Sequence, residues 1–155
     1  MRSWPERLYL LTGAGQGFML SWGLAAVVWW VVELQLSPIR LVLLGTALEL
    51  TVFFAEVPTG VLADNYSRKW SVVVAYALMG IAQVGSPLIP HFGLLLMWQV
   101  VWSVGWAFQS GADTAWITDE TEGEGDIDQL IVRHAVWRSG GILIGLAVAM
   151  ALSLW

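Results

Sequence analysis

The chain has no cysteine among its 155 residues, which excludes a disulfide framework and a thiolate metal site. Charge is scarce as well: Asp, Glu, Lys and Arg make up 12% of the chain, about half the roughly 25% of a soluble domain. Water is therefore not its main solvent. With seven Lys and Arg in all and no basic tract, nothing points to nucleic acid. Two histidines and no clustered Ser/His/Asp set give no basis for an enzyme, a metal site or a bound cofactor. A phosphate-cradling glycine loop is missing too, because the glycine run Gly13–Gly17 lies inside an apolar segment.

What is present is apolar and aromatic. Hydrophobic residues make up 57% of the chain, mean hydropathy is +0.69, and there are 11 tryptophans. Trp has an apolar body and a single N–H donor, so it collects at membrane interfaces. Apolar runs of about 20 residues cross a bilayer as helices, since every backbone polar group must be paired within the segment. Five such runs are expected, over 8–32, 41–63, 70–89, 92–112 and 130–155. They form one all-α, polytopic transmembrane bundle over residues 1–155, with loops at 64–69 and 113–129. The first run, Leu8–Val32, is 25 residues long, beyond the roughly 7–15 of a signal-peptide core. It is expected to be retained as a span.

Polar residues inside the spans are the candidate functional groups. Glu49 and Glu56 lie seven apart on one face of the second span, with Gly45 and Gly60 in the same series. Carboxylates at membrane depth are expensive and are candidates for proton or ion coupling; the competing role is helix packing in a protonated or hydrogen-bonded form. In the fourth span, Gln99, Ser103, Trp106, Ser110 and Asp113 recur at helical spacing beside a Trp98, Trp102, Trp106 stripe. With Gln16 of the first span they are candidates to line a solute cavity; the alternative is a packing seam with polar groups as glue. Gly13–Gly17 and Gly141–Gly145 have the GxxxG spacing of close helix contact. The third span carries no charge and is expected to face lipid most. Pro38 is expected in a turn bracketed by Glu33 and Arg40, and 86–93 is expected to be a turn holding His91, read as a surface residue. Six acidic residues between Asp119 and Asp128 mark a solvated linker.

Basic residues set the orientation. Five spans place Arg2, Arg7, Arg68, Lys69, Arg133 and Arg138 on one side and Arg40 on the other. The six-to-one split puts the N-terminus and both loops, 64–69 and 113–129, in the cytoplasm of a cell-membrane protein.

The loop between the second and third spans, GVLADNYSRKW from Gly60 to Trp70, resembles the signature of the major facilitator superfamily. Gly60, Asp64, Arg68 and Lys69 match a Gly, an Asp four residues on and a basic pair, at the family's position between helices two and three. Asn65 and Ser67 depart from a usual basic residue and a usual Gly. The resemblance implies a secondary transporter of a small solute working by alternating access. It also implies that these four residues form a conformational latch and that the five spans are an incomplete N-terminal half of the family's fold. The chain is then expected to be a fragment that needs further helices or a partner chain. The alternative is a non-transporting membrane protein that uses its glycine seams to bind partner helices.

Overall fold

The structure, a computed structural model, describes residues 4–121 and 126–153. Arg2, used for sidedness, Glu122 and Glu124 of the acidic linker, and residues 154–155 of the last span lie outside the described residues. Among the described residues all regular structure is helical: α1 Trp4–Val32, α2 Pro38–Asn65, α3 Arg68–Leu88, α4 Phe92–Glu120 and α5 Ile127–Ser153. All five are long and apolar enough to cross a membrane, as the hydropathy pattern predicts.

The helix ends differ from those read from hydropathy, because hydropathy locates the bilayer and not the end of the helix. Pro38 does not sit in the turn. It occupies the first turn of α2 after the N-cap Ser37, where its missing N–H costs nothing. The turn expected at 86–93 shrinks, since α3 continues through Pro87 to Leu88. The loop expected at 113–129 is helical up to Glu120. Trp116 and Ile117, 4% and 0% exposed, extend the apolar packing beyond Asp113, and Thr121 closes the helix by bonding to the Ile117 carbonyl through both N (3.1 Å) and Oγ1 (2.9 Å). At about 1.5 Å per residue, a helix as long as the 29-residue α4 outreaches a hydrocarbon core of about 30 Å.

Two compact units divide the chain. The first comprises residues up to Trp29 and from Ile117 onward, the second Trp30–Trp116. In the first unit α1 and α5 meet through the two glycine pairs. A methyl on Gly17 would strike the Arg138 carbonyl, one on Gly141 the Ala14 carbonyl, and one on Gly145 the Ser21 hydroxyl. The backbones can lie this close only because these positions lack Cβ. In lipid, where apolar burial gives helices little reason to associate, that contact supplies the dispersion that holds them. The imidazole of His134, 6% exposed, stacks on Tyr9 with centroids 4.1 Å apart.

In the second unit α3 is the central element. A third of its most apolar window is buried (33%), against 6% for α2. The expectation that α3 faces lipid most is therefore overturned. Its buried row is Ser71, Val72, Ala75, Met79, Ala82 and Gly85, mostly small. Small side chains let α4 approach: a methyl on Gly105 would lie 2.8 Å from the Ala75 carbonyl and 2.9 Å from Met79 Cγ. Lipid tails and protein interior are equally apolar, so lack of charge does not distinguish the two environments; residue size does.

Candidate functional site

The α2–α3 turn is built by local capping. The Ser67 side chain accepts a hydrogen bond from Trp70 N (3.3 Å), starting α3, while the Tyr66 N–H returns to the Leu62 carbonyl (3.0 Å), ending α2. This two-residue break sets Asp64, in the last turn of α2, four residues before Arg68, in the first turn of α3. The Arg68 guanidinium donates to Asp64 Oδ1 through Nη2 at 3.1 Å and Nε at 3.3 Å. The pair is partly open, with the side chains 35% and 65% exposed, and an ion pair so placed contributes about 0–1 kcal/mol. Lys69 is exposed beside it. Gly60, one turn earlier, faces Gly111 of α4, whose added methyl would sit 3.6 Å from Gly60 Cα.

Glu49 and Glu56 are exposed on α2, on the helix with only Leu44, Thr59 and Ala63 buried. Phe53, Phe54 and Val57, each at least 70% exposed, flank them. The helices of this chain therefore do not desolvate either carboxylate. Pro58 lies inside α2, and the Thr59 hydroxyl donates to the Ala55 carbonyl at 2.8 Å in the same turn.

The polar face expected on α4 is split. Ser103 is fully buried, with its hydroxyl donating to the Gln99 carbonyl at 2.7 Å. Gln99, Trp106 and Asp113 are half-buried, Ser110 is exposed, and the Trp106 ring stacks on Trp102 with centroids 5.5 Å apart. Gln16 is buried in the first unit, and its Oε1 has no hydrogen-bond partner among the described residues. Sequence reasoning misses Gln109. Its side chain is 2% exposed and crosses the α3–α4 seam, Nε2 donating to the Tyr76 hydroxyl at 3.1 Å. The signal is there to find: Gly105, Gln109, Ala112 and Trp116 also recur at helical spacing and all four are buried. The other residue missed is His134; of the two histidines the sequence singles out His91, which is exposed.

Together these features place an exchangeable ion pair at a helix turn and a polar contact within an otherwise apolar seam. Neither arrangement positions a nucleophile against a base.

Comparison with known proteins gives one named relative, the uncharacterized MFS-type transporter YxaM of Bacillus subtilis (strain 168), 23% identical over 101 residues. The matched stretch is 64% of this chain and 25% of the relative, so the chain spans about a quarter of that protein's length. No family model matches the chain. No solved structure matches it.

Proposed function

We propose that the chain supplies the first five spans of a secondary transporter that moves a small solute across the cell membrane by alternating access. The observation that carries this reading is the Asp64–Arg68 pair bridging the α2–α3 turn, within the loop Gly60–Trp70 that resembles the major facilitator signature. The distant similarity to a transporter supports it, as do five helices able to span a bilayer. An open ion pair of about 0–1 kcal/mol suits a latch: it biases one conformation and is cheaply exchanged for other partners as the spans rearrange. Gly60, Asp64, Arg68 and Lys69 form the latch, with the N-terminus and this loop cytoplasmic. Glu49 and Glu56 are the coupling carboxylates, with a proton as the coupling ion. They acquire their working environment from helices beyond this chain. Gln16, Gln99, Ser103, Trp106, Ser110 and Asp113 belong to the solute path.

The non-transporting alternative assigns the glycine seams to partner helices. Gly17, Gly141 and Gly145 instead pack within the first unit, which favours the transport reading.

Alternating access is testable with no knowledge of the solute. The chain has no cysteine, so in the intact transporter, with any thiol outside this stretch replaced, Ser110→Cys gives one reactive thiol at an exposed position of α4. In oriented membrane vesicles an impermeant maleimide should label it from both faces. Asp64→Asn should change the ratio of the two labelling rates by up to about fivefold, the worth of an open ion pair. Labelling from a single face in both proteins would remove the proposal.

A further inference from the structure

α2 is held unevenly along its length. Thr59 and Ala63 are buried near its Asp64 end, whereas over residues 38–58 the buried position is Leu44. Pro58 stands at the boundary between the two parts. It has no N–H to give the Phe54 carbonyl, so the backbone ladder is open at that turn. The Thr59 hydroxyl bonds back to the Ala55 and Glu56 carbonyls at 2.8 and 3.2 Å, an arrangement that favours a bend. A proline inside a helix is a common cause of a kink.

α2 meets α4 on each side of Pro58. At Gly60 the contact is made by backbone: a methyl on Gly111 would sit 3.6 Å from the Gly60 Cα. In the first turn of α2 the Arg40 guanidinium lies over the Phe92 ring, 5.3 Å from Cζ to the centroid. Twenty residues separate the two contacts on α2 and nineteen on α4, about 30 Å at helical rise. The two helices therefore run side by side in the same direction. Arg40 is exposed, and a cation over a ring at an exposed site changes an equilibrium by about two- to fivefold.

We infer that residues 38–57 of α2 form an arm that swings on Pro58 and is clasped against α4 by Arg40 on Phe92. The buried Thr59 and Ala63 and the Gly60–Gly111 contact hold the pivot, and the clasp holds the tip. Arg40 stands roughly 27 Å along the helix from Pro58, so a small change of angle there lifts the guanidinium off the ring. Leu44, four residues on from Arg40 and on the same face, leaves its buried place with it. A contact this weak opens readily and still biases the arm towards the closed position. The device follows from the way α2 packs and does not rest on the transport reading.

In the intact protein, with any thiol outside this stretch replaced, nitroxides on Val42→Cys and Leu88→Cys report the tip of the arm against the same end of α3. Both positions are exposed in the wild type. Double electron–electron resonance should show a short and a long distance. Arg40→Gln and Phe92→Leu should each raise the long-to-short ratio about two- to fivefold, the effect of one exposed cation–π contact. The double variant should go no further than either alone, because both changes remove one contact. Pro58→Ala restores the N–H and should leave a single distance. A reference pair on Leu62→Cys and Trp70→Cys, beyond the pivot, should keep its distance throughout. Circular dichroism checks that each variant keeps its helices. One distance in the wild type and every variant, additive effects of Arg40→Gln and Phe92→Leu, a long distance that survives Pro58→Ala, or a shift in the reference pair would each overturn the arm.

Discussion

α2 and α3 pack against each other in one unit, and they use their residues in opposite ways. α2 carries Glu49, Glu56 and Asp64, with Arg40 near its start, and leaves all four exposed; α3 carries no charge beyond its first turn and buries the largest share of its surface. In water the polar helix would face solvent and the apolar one the core for a single reason, hydrophobicity. In a bilayer that reason is weak, because lipid and protein interior are alike to an apolar side chain. What makes α3 central is size: Ala75, Ala82 and Gly85 let α4 come close, and Gly105 answers from the other side. The large residues Phe53, Phe54 and Val57 keep α2 from packing in the same way.

Three substitutions test the contrast. Gly105→Val should have the largest effect, because it drives a branched side chain into the Ala75 carbonyl. Overpacking of this kind costs about 1–3 kcal/mol, read as a lower midpoint of unfolding in detergent; an unchanged midpoint would mean that small residues do not set the seam. Gln109→Leu should cost about 0.6 kcal/mol, the mean for a hydrogen bond between membrane helices. A loss above that of Gly105→Val would mean that the polar contact with Tyr76, and not close packing, holds the seam together. Glu49→Gln should leave stability within about 0.5 kcal/mol, since an exposed position has no packing to lose. Its effect belongs to function: if Glu49 carries the coupling proton, solute movement by the intact transporter loses its pH dependence, and an unaltered pH profile assigns coupling elsewhere.

Helix identity was legible in the sequence. Uninterrupted apolar runs of about 20 residues admit no other backbone solution in lipid. A break between α2 and α3 was legible from Asp64 and Asn65, but the loop expected at 64–69 shrinks to Tyr66 and Ser67, since α2 runs to Asn65 and α3 starts at Arg68. Helix ends were not, because Trp116 and Ile117 continue α4 past the polar Asp113 through packing that hydropathy does not record. The buried contact between Gln109 and Tyr76 was not legible either. Period 3.6 gives Gln99, Ser103, Trp106 and Ser110 one face and Gly105, Gln109 and Ala112 another, and either face is a helical stripe in sequence.

The sequence by itself determined that this chain is made of membrane-length helices, where its charges fall between them, and that a loop with Asp64, Arg68 and Lys69 joins α2 to α3. It also supplied the glycines at 17, 141, 145, 85 and 105. Only the tertiary structure decided which of those glycines receive a neighbouring backbone or ring, that Gln109 reaches Tyr76, and that Arg40 lies over the Phe92 ring. Composition and period are local properties that one helix can show alone. Which face is covered depends on a second helix at van der Waals distance, and in an apolar solvent that choice is made by shape, which no single segment encodes.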